Sequence, residues 1–228
     1  MDDPLGSPNP TVAPGVGVGH EFGNGGEDFH ATPFDDDITG GSGNDRIYLY
    51  GGDDFARGGD GDDVIHAIHG GRNTLDGGAG DDHLRIASHN TYNAASGGAG
   101  NDSIEVNAPN TSIEGGAGDD LFLLGEASGG SIIRDHQGRN HLSLHVGTDK
   151  HVLERVGQSL FIHTDADPTF DQSTDVVWLD FFDSEDNTVN QWSHESVVSL
   201  TDETTDAPSS PVPNPVDVIS QADDALLA

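Results

Sequence analysis

The feature that most constrains this chain is a nine-residue pattern that recurs at near-constant spacing. Five segments read Gly-Gly-x-Gly-[Asn/Asp]-Asp-x-apolar-x: Gly40–Tyr48, Gly58–His66, Gly77–Arg85, Gly97–Glu105 and Gly115–Leu123. Their starts lie 18, 19, 20 and 18 residues apart, so the period is about two nonapeptides. The intervening stretches are degenerate copies. Leu49–Arg57 keeps Gly52, Asp54 and Ala56 in register; Ile68–Asp76 keeps Gly71 and Leu75 but has Asn73 for Asp. Asn93/Ala95 and Thr111/Ile113 hold the equivalent places further on, Asp36 and Ile38 upstream, and Gly138, Asn140 and Leu142 downstream in Asp135–Ser143. Regular self-similarity at this spacing is the mark of a solenoid, whose units bury their apolar faces only by stacking.

The charge balance narrows the chemistry. The 228 residues carry 41 Asp+Glu against 8 Lys+Arg, a formal charge of -33. Of the acids 32 are Asp and 9 are Glu, and Gly also numbers 32. A merely solubilising helical surface would favour Glu, the better helix former. Asp with Gly points to turns and to hard-cation ligation, since Ca²⁺ takes carboxylate and carbonyl oxygens. Nucleic acid is excluded as a partner, because phosphate neutralisation needs Lys and Arg and Lys150 is the single lysine. No run approaches the ~20 apolar residues of a membrane-spanning helix. With no Cys, a disulfide scaffold and Cys-ligated metals are impossible.

The repeat block resembles the RTX (haemolysin-type) calcium-binding repeats, and the resemblance covers roughly residues 31–145. It implies an all-β fold, a right-handed parallel β-roll. Six residues of each nonapeptide turn and three form a short strand. The apolar residue at position 8 (Ile47, Ile65, Leu84, Ile104, Phe122) points inward, and positions 7 and 9 point out. Stacking at about 4.8 Å per coil puts the position-6 acids Asp45, Asp63, Asp82, Asp102 and Asp120 in one row. At about 5 Å and an effective dielectric of about 20, each neighbouring pair repels by about 3 kcal/mol. Four such contacts rival the entire stability of a domain, about 5–15 kcal/mol. The row therefore needs bridging cations, and Ca²⁺, with 6–8 oxygen ligands in flexible geometry, suits it better than Mg²⁺.

The resemblance further implies where the ions sit: between loops one period apart. Their ligands are the position-6 carboxylates and alternate main-chain carbonyls. The carbonyls are those of Gly41 and Gly43; Gly58, Gly59, Asp60 and Gly61; Gly77, Gly78, Ala79 and Gly80; Gly97, Gly98, Ala99 and Gly100; and Gly115 and Ala117. Five loops imply about four Ca²⁺ on this edge, with Asn140 completing a weaker site at its end. On the opposite edge Asp36 and Asp54 could form one more site. Beyond them stand the uncharged Asn73, Asn93 and Thr111, so that edge is expected to be metal-poor and held by an amide ladder of Asn73 and Asn93.

Residues 1–30, rich in Gly, Pro and Asp, read as a disordered N-terminal segment. Ser159–His163 and Asp175–Phe182 read as strands of a C-terminal capping region over 146–200, with Trp178, Phe181 and Phe182 in its core. Residues 201–228 read as a Pro/Thr/Ser linker and a C-terminal secretion signal, whose Asp224-Ala-Leu-Leu-Ala is similar to the acid-then-apolar ends of type I secretion substrates. Signal-peptide features are missing from Met1–Pro10, which fits export by the type I secretion machinery and an extracellular location. Enzymatic motifs are not found: His20-Glu21-Phe22-Gly23-Asn24 starts like a zinc-protease helix but has Asn24 where a second His is needed, and no Gly-x-Ser-x-Gly occurs. The His residues, among them His66, His83, His141 and His145, read as surface positions. The chain is thus expected to be a secreted, non-enzymatic calcium-binding protein. The alternatives are a Ca²⁺-dependent adhesin or matrix protein that self-associates, or an accessory module of a secreted hydrolase or toxin.

Overall fold

A computed structural model of the chain describes residues 17–88, 92–135, 137–145, 152–156, 159–163, 176–179 and 188–191. These residues are all strand, turn and loop, and none forms a helix long and apolar enough to cross a membrane. They build a β-solenoid of about seven turns, as the repeat pattern implies.

Each coil contributes one strand to each of two sheets. The first sheet contains β1 (Gly19–Glu21), β3 (Asp37–Ser42), β5 (Phe55–Asp60), β7 (Thr74–Ala79), β9 (Ala94–Ala99), β11 (Ser112–Ala117) and β13 (Ile132–Arg134), all parallel and in that order. The second contains β2 (Asp28–His30), β4 (Arg46–Leu49), β6 (Val64–Ala67), β8 (His83–Ile86), β10 (Ser103–Val106), β12 (Leu121–Gly125) and β14 (His141–His145).

Register follows the repeat. Position 8 forms one continuous row, Phe29, Ile47, Ile65, Leu84, Ile104, Phe122 and Leu142, each directly paired with the next. The facing row runs Ile38, Ala56, Leu75, Ala95, Ile113 and Ile133. Every member of both rows is buried. This core is two side chains thick, and alternation along each strand sends the intervening residues outward. The unequal coil lengths are absorbed in turns, one of which puts Tyr92 (φ 72°) in a left-handed conformation, so strand register is preserved.

Residues 17–30, expected to be unstructured, instead form the first coil. Phe22–His30 lies 18 residues before the Gly40 repeat and is itself a degenerate copy: Phe22 replaces the first glycine and Glu27 the position-6 Asp. Its strand β2 pairs with β4 at Phe29↔Ile47. His20, of the protease-like His-Glu dipeptide, pairs with Ile38 and stacks on Phe29 with ring centroids 4.8 Å apart. It covers the open end of the apolar rows.

At the other end, β17 (Val176–Leu179) continues the first sheet in parallel with β13, and β18 (Thr188–Gln191) continues the second in parallel with β14. β16 (Ser159–His163) then pairs antiparallel with β17, and β15 (Val152–Val156) antiparallel with β16. The reversal ends parallel propagation and covers an edge open to further strands. Phe181, Phe182 and the linker and tail at 201–228 lie outside the described residues.

Candidate metal-binding edge

The position-6 residues form a hydrogen-bonded ladder along one edge of the roll. Oδ1 of each accepts the main-chain N–H of the position-6 residue one coil earlier: Glu27 to Asp45 at 2.7 Å, Asp45 to Asp63 at 2.7 Å, and Asp63 to Asp82, Asp82 to Asp102 and Asp102 to Asp120 at 2.8 Å. Asp120 donates in turn to Oδ1 of Asn140 at 2.8 Å. The five aspartates are only 1–2% exposed.

The second oxygen of these groups carries the chemistry. Oδ2 of Asp45, Asp63, Asp82 and Asp102 is buried with no hydrogen-bond partner among the described residues. Leaving a buried carboxylate oxygen unsatisfied is costly, and the cost appears in the acidities. Burial, opposed in part by the N–H donated to Oδ1, pushes Asp63 and Asp102 up to about 6 and Asp82 up to about 7; Asp45 and Asp120 are raised in the same way.

Each such oxygen faces a cradle left by a glycine. A Cβ on Gly40 would lie 2.5 Å from Oδ2 of Asp45 and 2.0 Å from the carbonyl oxygen of Gly58, the first residue of the next loop. At Gly58 the same two distances are 2.1 Å to Asp63 and 2.6 Å to Gly77, and at Gly77 they are 2.3 Å to Asp82 and 2.5 Å to Gly97. A carboxylate oxygen and a carbonyl oxygen thus converge coil after coil on a point that only glycine leaves open. The second glycines stack so closely that a Cβ on Gly59 (φ 114°) would sit 2.1 Å from the oxygen of Gly41. The expected carbonyls of Asp60, Ala79, Ala99 and Ala117 each accept one N–H, from Gly43, Gly61, Gly80 and Gly100, at 2.7–2.8 Å. A carbonyl has a second lone pair to offer.

Among the described residues no three His, Asp or Glu side chains converge as a metal cluster. The donor set is instead a few carboxylate oxygens supplemented by main-chain carbonyls, all hard oxygen. That composition fits Ca²⁺ and leaves no nitrogen or sulfur for a softer metal.

The opposite edge differs as the sequence suggests. Asp36 N–H donates to Oδ1 of Asp54 at 2.9 Å, Asp54 to Oδ1 of Asn73 at 3.2 Å, and Asn73 to Oδ1 of Asn93 at 2.9 Å. The Asn ladder is therefore made through main-chain donors. Both oxygens of Asp36 are engaged, Oδ1 by Val18 N–H and Oδ2 by Thr32 N–H. Of the pair expected to form a site here, Asp54 alone keeps an oxygen buried without a partner among the described residues, and burial raises it to about 7.

Two features escaped sequence reasoning. A second ladder runs outside the first along position 5: Asp62 donates to Asn44, Asp81 to Asp62, Asn101 to Asp81, Asp119 to Asn101 and Arg139 to Asp119, all through main-chain N–H at 2.7–3.0 Å. The Asn-or-Asp choice at position 5 was its signal, since these short side chains carry an oxygen that reaches one coil forward to the main-chain N–H. The other is Asp135, at position 1 of the last copy. Its Oδ2 lies 2.1 Å from where a Cβ on Gly115 would be, beside Oδ2 of Asp120 at 2.3 Å.

The family model of the RTX calcium-binding nonapeptide repeat matches in four copies, over residues 30–66, 69–85 and 95–128. The chain carries RTX calcium-binding repeats. The matched residues include the buried carboxylates from Asp45 to Asp120 and all five glycine cradles, so the RTX repeat and the ladder geometry coincide. No curated protein matches the chain in sequence.

Proposed function

We propose that this RTX-repeat chain is a secreted, non-enzymatic calcium-binding protein whose roll closes when Ca²⁺ ions enter between successive loops. The observation that carries the reading is the row of buried Oδ2 atoms, each aimed at a glycine cradle, which at Gly40, Gly58 and Gly77 also receives a carbonyl oxygen of the next loop. Asp45, Asp63, Asp82, Asp102 and Asp120 would hold the ions with carbonyls of the Gly-x-Gly turns, about four ions along this edge. Bound Ca²⁺ supplies positive charge that converts repulsion between coils into attraction.

Metal-binding energy is then folding energy. In a compartment poor in Ca²⁺ the chain would remain unfolded and competent for type I export; outside the cell it would coil. The RTX character of the repeats supports this compartment logic, because a row that coils only when Ca²⁺ fills it is useful where Ca²⁺ is abundant. The test is calorimetric titration of the chelated chain with Ca²⁺ and with Mg²⁺, read alongside far-ultraviolet circular dichroism. Several Ca²⁺ bound with a coupled gain of β signal, and none with Mg²⁺, is the expected result. Binding without a structural change would overturn the coupling.

A further inference from the structure

The last loop of the metal-binding edge is chemically unlike the other five. This inference rests on the calcium reading proposed above and assigns a ligand to it. At position 1, where Gly40, Gly58, Gly77, Gly97 and Gly115 stand in the preceding loops, the last copy has Asp135. In the coils starting at Gly40, Gly58 and Gly77 the cradle is shared by one carboxylate oxygen and one neutral carbonyl oxygen. At Gly115 both of the nearest atoms are carboxylate oxygens, Oδ2 of Asp135 and Oδ2 of Asp120.

Both groups are built into the fold. Asp120 is 1% exposed, and its Oδ2 receives no N–H among the described residues and lies against the carboxylate of Asp135. Asp135 is 3% exposed, and its Oδ1 accepts the N–H of Gln137 at 3.1 Å, which fixes the direction of its Oδ2. The position-6 residue of this loop cannot provide the anion. Asn140 uses Oδ1 to accept from Asp120 and Nδ2 to donate to the carbonyl of Gln137 at 2.9 Å, and it carries no charge.

We infer that Asp135 is a metal ligand: with Asp120 it forms a fifth calcium site on this edge, between the loops that begin at Gly115 and Asp135. Its carboxylate supplies from position 1 the charge that Asn140 fails to supply from position 6. The end of the row is then a site with two carboxylates. It is not the weak site that Asn140 alone would leave, since affinity for Ca²⁺ follows the number of charged ligands.

The experiment counts ions on the full chain by equilibrium dialysis against Ca²⁺, with circular dichroism to confirm that each variant coils at saturating Ca²⁺. Asp135→Asn is expected to bind one ion fewer than the wild type, and Asp135→Gly, which installs the residue found in the other loops, to do the same. Adding Asn140→Asp to Asp135→Asn returns a carboxylate to the site and is expected to restore the lost ion, an outcome that a purely structural role for Asp135 would not produce. Unchanged stoichiometry and affinity in Asp135→Asn and Asp135→Gly, or failure of the double variant to recover the ion, overturns the inference. A wild-type chain that binds no Ca²⁺ overturns the calcium reading of the whole edge instead, so the two failures are distinguishable.

Discussion

The main-chain N–H of Asp63 donates to Oδ1 of Asp82, 19 residues further on, at 2.8 Å. One oxygen of Asp82 thereby ties coil to coil. The other oxygen of the same carboxylate is buried without a partner among the described residues. The two roles are separable by mutation. Asp82→Asn keeps an acceptor for Asp63 and removes the charge, so it should leave the roll intact at high Ca²⁺ while weakening the ions on either side. Asp82→Ala strands the N–H of Asp63 and should cost a further ~1–3 kcal/mol. Urea unfolding at saturating Ca²⁺, with calorimetric Ca²⁺ titration, separates them. Equal stability of the two variants would contradict the ladder.

The raised carboxyl pKa values set a pH dependence. Asp63 and Asp102 sit at about 6, and Asp54 and Asp82 at about 7, from an ordinary 3.8. Such groups bind more protons folded than unfolded, so they favour the metal-free roll below about pH 4, and that contribution is lost as pH rises through 6 to 7. The chelated chain should hold more β structure at about pH 4.5 than at about pH 7.5, and Ca²⁺ binding near pH 6.5 should release protons. Circular dichroism in chelator, and titration in buffers of different ionisation heat, check both. A chelated chain that gains structure with rising pH is the contrary result.

Two glycines should fail for different reasons. Gly59 has a φ of 114° and its Cβ would lie 2.1 Å from a backbone oxygen, so Gly59→Ala should prevent coiling at any Ca²⁺ concentration. Gly77 has no such φ, but its Cβ would fill the cradle beside Asp82 and Gly97. Gly77→Ala should chiefly raise the Ca²⁺ concentration needed to fold. Gly23→Ala meets nothing within 4 Å and serves as control. Circular dichroism against Ca²⁺ concentration ranks the three.

Asn73 tests the metal-poor edge. Asn73→Ala removes the acceptor for the buried N–H of Asp54 and should destabilise the Ca²⁺-loaded roll by about 1–3 kcal/mol without changing the number of ions bound. A lost ion would place metal on this edge.

Much of this was legible in the sequence because one period fixes many residues at once. Once Ile47, Ile65, Leu84, Ile104 and Phe122 occupy one row, the Asp row and its spacing follow from strand geometry alone. What stayed hidden depended on tolerance rather than pattern. The first coil leaves little trace in the sequence because Phe22 and Glu27 replace the two most diagnostic residues, yet a backbone already templated by β3 and β4 accepts both. Saturation of Asp36 by Thr32 and Val18 is a local contact with no periodic trace. Asp135 replaces the position-1 glycine, and its role depends on the fold, which sets its carboxylate where the other loops have a carbonyl.

The central claim is tested most directly by circular dichroism of the chelated full chain at neutral pH during stepwise addition of Ca²⁺. The account predicts a disordered spectrum in chelator and a cooperative rise of β signal as the ions enter. A spectrum already β-rich in excess chelator, and unmoved by Ca²⁺, would contradict it.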